Sequence, residues 1–212
     1  MVQAEKIHQT LQILLDVKTN DADDARRRRL LNIILFSLFV LTFLVLILTL
    51  SADIILGDEL GMNDWEKRQL YLWIAGVLFG YIFFYVLNRK LANGVAGFLF
   101  LAFLLAAFAF SDEASELIDG RSLYVFTIPI LLASVLVRPY FSFIFAGLTI
   151  LELNYLALSA NLVPQPLPYI AFIFFALISW LSANALENAI KNLRDLNLEL
   201  DLRVAERTQD LL

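Results

Sequence analysis

The sequence predicts an all-α protein: a six-transmembrane helical bundle continuing into a cytoplasmic parallel coiled-coil helix. Three observations predict it. Long apolar runs recur along the chain, several reaching about 18 residues or more, enough to cross a hydrocarbon core of about 30 Å. Charged residues make up only 17% of the chain and gather in short stretches between those runs. The tail, residues 186–212, is the one long charged segment, and it holds neither Gly nor Pro. Three regions follow: an amphipathic N-terminal helix and linker at 1–25, a membrane domain at 26–186 and a coiled-coil tail at 187–212.

Composition narrows the function classes. At 60% hydrophobic, the 212-residue chain is too apolar for an ordinary soluble domain, which is nearer half apolar. It has no Cys, hence no disulfide, thiolate metal site or Cys nucleophile. A net charge of −5 argues against nucleic acid as a partner. The first 25 residues lack the apolar core and small-residue cleavage site of a signal peptide.

Taken in order, residues 3–18 place Ile7, Leu11, Leu14 and Leu15 at helical spacing, a short amphipathic helix. Residues 19–24 (TNDADD) are a polar break rich in capping residues, so a new helix starts nearby. Arg26, Arg27, Arg28 and Arg29 precede the first span, 30–50. Positive charge stays on the cytoplasmic side, so the N-terminus is placed inside. The run reads as a topology anchor; an anionic-lipid site is the functional alternative. The second span is 70–87, with Trp65, Tyr71 and Trp73 near its outer end as an aromatic belt. The third, 91–110, is rich in Gly and Ala, which allow close helix approach. The fourth, 123–137, contains Pro129, expected to kink it. The fifth is 140–158. Residues 161–168, with three prolines, form a stiff outer connection, and the sixth span, from 169 to about 186, runs into the tail without a breaker.

Charge counting supports this topology. Thirteen of the 16 Lys and Arg fall on the side assigned as inside, and Lys67, Arg68 and Arg121 fall outside. Six spans with both termini cytoplasmic satisfy the positive-inside rule, and five would break it.

The tail carries a heptad seam: Ile190, Leu193, Asn197, Leu200 and Val204, flanked by Leu186 and Leu211, with Arg207 on the remaining position. Asn197 falls on an a-type position, where a buried Asn favours a parallel, two-stranded, in-register pair. The expected partner is therefore a second copy of the chain. The alternative is a solvated amphipathic helix lying on the membrane or on its own protein.

The same tail resembles the signalling helix of bacterial sensor histidine kinases, in which a multi-span sensor runs into a linker reading roughly L-E-x-R-V-x-E-R-T-x-E-L. Residues 198–211 read LELDLRVAERTQDL, and the Arg-Val-Ala-Glu-Arg-Thr core at 203–208 matches well. Asp201 and Asp210 stand where Glu is more usual. The likeness is confined to the tail. It implies a bacterial inner (plasma) membrane protein, a homodimer, and a kinase or, less often, cyclase-type output domain beyond Leu212. It does not identify a stimulus.

Chemistry is sparse. His8 is the only His and lies outside the spans, which excludes a membrane haem held by paired His ligands within this chain. Its IHQT context is unlike a phosphoacceptor His, which normally sits beside an acidic residue. No Lys lies within a span, and there is no P-loop or hydrolase nucleophile elbow. The chain is expected to be no enzyme by itself and to hold no cofactor. Asp112, Glu113, Glu116 and Asp119 meet the oxygen-ligand demand of a divalent cation, and equally suit a solvated loop; no metal is expected.

Glu152 is the one intramembrane ionisable residue, with Asn154 and Tyr155 close behind. Such residues usually face the bundle interior and mark function. Glu152 is either a sensing carboxylate for a ligand, a cation or a proton, or a structural group bonded to Thr127 or Arg121. The aromatic residues Phe79, Tyr81, Phe83, Phe84 and Tyr85, and Phe172, Phe174, Phe175 and Trp180, either line a pocket for a small apolar ligand or face lipid and pack helices.

The function expected is thus a membrane-embedded sensory input module. It passes a stimulus from the outer half of the membrane through the sixth span to the coil, among membrane lipids as its other partners. The alternatives are a small transporter or channel-like subunit, for which Glu152 and Asn154 offer a thin polar pathway, and a membrane scaffold whose tail binds another protein.

Overall fold

A computed structural model describes residues 19, 21–56, 63–91, 94–110, 117, 120–163 and 165–209. These are α-helical almost throughout, with no strand among them. The helices are α1 (Ala22–Leu56), α2 (Asp64–Lys90), α3 (Val95–Ala109), a 3-10 helix (Arg121–Phe126), α4 (Thr127–Leu136), α5 (Phe141–Ser159) and α6 (Pro166–Gln209). Four of them, α1, α2, α5 and α6, are long and apolar enough to cross a membrane, and the helical stretches 95–109 and 122–136 are shorter but apolar. The helix expected at 3–18, the acids Asp112, Glu113, Glu116 and Asp119, and Leu211 lie outside the described residues.

The start of α1 follows from its capping residues. Asp21 Oδ1 accepts from the Asp23 amide at 2.9 Å, and the Asp21 carbonyl takes the first helical bond, from Ala25. The Arg26–Arg29 run is therefore helical and lies in the second turn. Along α1, Phe36, Val40, Leu41, Leu44, Ile47 and Leu48 are all about half exposed. A water-soluble monomer does not leave so continuous an apolar surface open, and a helix apolar all round fits a lipid surround.

The chain forms two compact units, Met1–Phe100 and Leu101–Leu212, with the division inside α3. In the first, α1 and α2 run antiparallel along most of their length. Contacts pair Arg28 with Asn88, Thr42 with Tyr81 (3.5 Å) and Asp53 with Tyr71 (3.3 Å). Asp53 also pairs with Lys67 at 2.7 Å. Phe100, at the start of α3, packs edge-on against Phe84 at 5.6 Å.

In the second unit α4, α5 and α6 pack together. Phe126, Ile130, Phe145 and Phe172 fill its core beside Ala133, Ala157 and Ala176. The small residues let the helices approach closely.

Three element boundaries differ from the sequence expectation. The third helix begins at Val95 and not at Leu91, because α2 runs on to Lys90 and Gly94 turns the chain with φ 75°. Its 15 residues span about 22 Å. The fourth starts as a 3-10 helix, which passes into α4 at Thr127, two residues before Pro129. The connection after α5 is shorter than 161–168, because α6 starts at Pro166. Pro166 and Pro168 both sit in its first turn, where a fixed φ is favourable.

Candidate functional site

Glu152 lies on α5, whose buried face comprises Ser142, Phe145, Ala146, Thr149, Leu153 and Ala157. Thr149 is one turn before Glu152 and wholly buried. Among the described residues, neither Thr149 Oγ1 nor Glu152 Oε2 has a hydrogen-bond partner, though both atoms are shielded from solvent. Two orphaned polar atoms one turn apart are costly, roughly 1–3 kcal/mol each, and unusual in a well-packed interior. Thr149 was not singled out by sequence. Its i−3 spacing from Glu152 is the signal that could have found it.

The other residues expected near Glu152 are engaged locally. Thr127 Oγ1 donates to the Tyr124 carbonyl at 2.7 Å, and Asn154 Nδ2 donates to the Ile150 carbonyl of its own helix at 2.7 Å. Tyr155 is 72% exposed. Arg121 opens the 3-10 helix with its backbone, and its side chain lies outside the described residues.

Hydroxyl groups tie α6 to its neighbours. Ser134 Oγ and Ser179 Oγ lie 2.6 Å apart, and Ser179 also donates to the Leu131 carbonyl at 3.1 Å. Ser142 donates to the Ala176 carbonyl at 3.0 Å and shares that hydrogen with Pro139 O. α6 is thus held by short hydroxyl contacts on both sides.

Beyond those contacts α6 continues unbroken to Gln209, 44 residues in all and about 66 Å long. Its C-terminal part is exposed along the described stretch: Leu193, Leu200 and Val204 are 60%, 49% and 64% exposed, Asn197 is exposed and Ile190 half-buried. Leu196 is also open, at 52%, and widens the apolar stripe between Leu193 and Leu200. Arg203 pairs with Glu199 one turn away, off the seam.

The first unit holds a second polar cluster. Asp24, Arg28, Asn32 and Asn88 are all buried. Arg28 Nη1 donates to the Asn88 carbonyl at 3.3 Å, while Asn88 Nδ2 donates to the Arg28 carbonyl at 2.9 Å and to Asn32 Oδ1 at 2.7 Å. Asp24 Oδ2 lies 2.8 Å from Arg28 Nε, a buried ion pair. Next to this cluster is an open apolar cavity of about 210 Å³, lined by Leu35, Phe36 and Phe39 of α1 and by Tyr81, Ile82 and Tyr85 of α2, with Asn32 as its polar contact. Of the aromatic residues considered from sequence, Tyr81 and Tyr85 line this cavity. Phe84 packs on Phe100, Phe172 is buried, and Phe79, Phe83 and Phe174 point outward.

Comparison of the chain with protein-family models, characterised proteins and solved structures returned no match.

Proposed function

We propose that this chain is the membrane-embedded sensory input module of a signal-transduction protein of the sensor histidine kinase class. In this reading it crosses a bacterial inner membrane six times with both ends cytoplasmic, and 122–136 and α3 count among the spans. It pairs as a parallel homodimer through Ile190, Leu193, Asn197, Leu200 and Val204. The kinase region lies beyond Leu212, and this chain does no catalysis itself.

The observation that carries the reading is the continuity of α6. Residues 166–186 pack on α4 and α5, and the same helix then presents an open heptad face. A rigid helix passes a shift or rotation at Ser179 to Asn197 without loss at a hinge. The stimulus acts near Glu152 and Thr149, whose unpartnered oxygens are available to a proton, a cation or a polar ligand group. Such a ligand drives the switch only by binding two arrangements of α5 and α6 with different affinity.

The absence of Cys permits a direct test. Asn197→Cys, Leu200→Cys and the off-seam Glu199→Cys are oxidised separately in native membranes. Crosslinked homodimers at the first two and not the third support the parallel coil. A change in that pattern on adding Glu152→Gln supports sensing at α5. No homodimer at any position removes the main support, and the transporter or scaffold reading then takes over.

A further inference from the structure

We propose that the α1–α2 groove is a binding site for one anionic phospholipid, with an acyl chain in the groove and the phosphate at Arg29 and Arg89. The inference requires only that α1 and α2 stand in a bilayer; it does not depend on the sensing role.

The groove is a built feature of the helix pair. Its volume, about 210 Å³, exceeds the roughly 150 Å³ of an apolar cavity known to take a benzene ring. Tyr81 is buried and fixes one wall, while the half-exposed Phe36 and Ile82 leave the groove open along its side. α3 contacts the pair through Phe84, a neighbouring strip of α2, so that contact does not fill it.

Its charge is confined to one end. The Arg89 guanidinium lies 5.0 Å from the ring centroid of Tyr85, which lines the groove. Arg28 and Asn88 are bonded side by side, which brings the next residues, Arg29 and Arg89, to the same end. Arg29 is exposed and lies one turn before Asn32 and two before Phe36, on the face that forms the wall. An apolar slot capped by two surface guanidinium groups fits a lipid whose chain is apolar and whose headgroup carries a phosphate without a compensating amine. A zwitterionic headgroup brings its own cation to the same arginines. A second copy of the chain would have to bring acidic groups to this end.

The test is native mass spectrometry of the full chain, released from detergent supplemented with dioleoyl phosphatidylglycerol or dioleoyl phosphatidylcholine. The expected result is one retained phosphatidylglycerol per chain and little phosphatidylcholine. Arg29→Gln with Arg89→Gln weakens retention roughly thirtyfold, since each cation near an anionic headgroup changes affinity about fivefold. Ile82→Trp fills the groove from its open side and abolishes retention. Arg138→Gln, an exposed arginine between α4 and α5, leaves it unchanged. Helical circular dichroism checks that each variant is folded. Equal retention of the two lipids, or retention by both groove variants at the natural level, overturns the proposal. So does a dimer of the natural chain that Ile82→Trp dissociates, which gives the groove to a second copy.

Discussion

Arg28 and Asn88, on neighbouring antiparallel helices, hold each other reciprocally: each side chain donates to the other's main-chain carbonyl. Asn32 completes the arrangement by accepting the second Asn88 amide hydrogen. The four-arginine run therefore has divided roles. Arg28 is part of the helix–helix contact, and Arg29 is exposed.

That division predicts unequal effects of substitution. Asn88→Leu removes both Asn88 Nδ2 bonds, to Asn32 Oδ1 and to the Arg28 carbonyl, and is expected to cost about 1–3 kcal/mol. Arg28→Gln removes the buried ion pair with Asp24 and the bond to the Asn88 carbonyl, and is expected to cost at least as much. Arg29→Gln stays within about 0.5 kcal/mol. Unfolding in mixed detergent, followed by helical circular dichroism, ranks the three. Equal effects of Arg28→Gln and Arg29→Gln would mean that the cluster contributes nothing specific.

Between α4 and α6, the 2.6 Å hydroxyl pair requires small side chains on both helices. Ser179→Ala loses that contact and is expected to cost about 0.6 kcal/mol, the usual size of such bonds between membrane helices. Ser179→Leu forces extra volume into a close approach and is expected to cost about 1–3 kcal/mol. If the proposed dimer holds, it also alters crosslinking at Asn197→Cys. The same unfolding assay and crosslinking gel read both effects.

Thr149 and Glu152 predict the opposite sign. Thr149→Val keeps the side-chain shape and removes an orphaned hydroxyl, so stability is expected to rise by roughly 1 kcal/mol. Glu152→Leu is expected to raise it by about 1–3 kcal/mol and, under the proposed sensing role, to abolish the response to the stimulus. A loss of stability in either variant would mean that the group has a partner in the folded protein, and the sensing site would move elsewhere.

The end of α5 makes a backbone prediction. Asn161 has φ 55°, its amide bonds the Leu158 carbonyl at 3.3 Å, and the Leu162 amide bonds the Ala157 carbonyl at 2.8 Å. This is the paired-bond helix stop that needs a left-handed residue. Asn161→Gly is expected to be neutral or slightly stabilising. Asn161→Val places a β-branched residue in that region and is expected to cost about 1–2 kcal/mol. Thermal unfolding of the two variants separates the cost of conformation from the loss of the amide.

The sequence by itself determined the helical class, the apolar runs and the unbroken course of α6. These follow from composition and from the absence of Gly and Pro after Pro168, which are local properties of the chain. The heptad steps of the tail were equally legible, because their period is written in consecutive residues. The prolines after α5 were legible as breaks but not as a helix start: Pro166 is tolerated in a first turn, and where that turn begins depends on packing. Only the tertiary structure paired Arg28 and Asn32 with Asn88, 60 and 56 residues apart, and Ser134 with Ser179, 45 apart. It also left Thr149 Oγ1 and Glu152 Oε2 on α5 without a partner among the described residues. Which polar group meets which across helices depends on the rotation of each helix about its axis. Helices apolar on every side give their sequence almost no amphipathic signal from which to read that rotation.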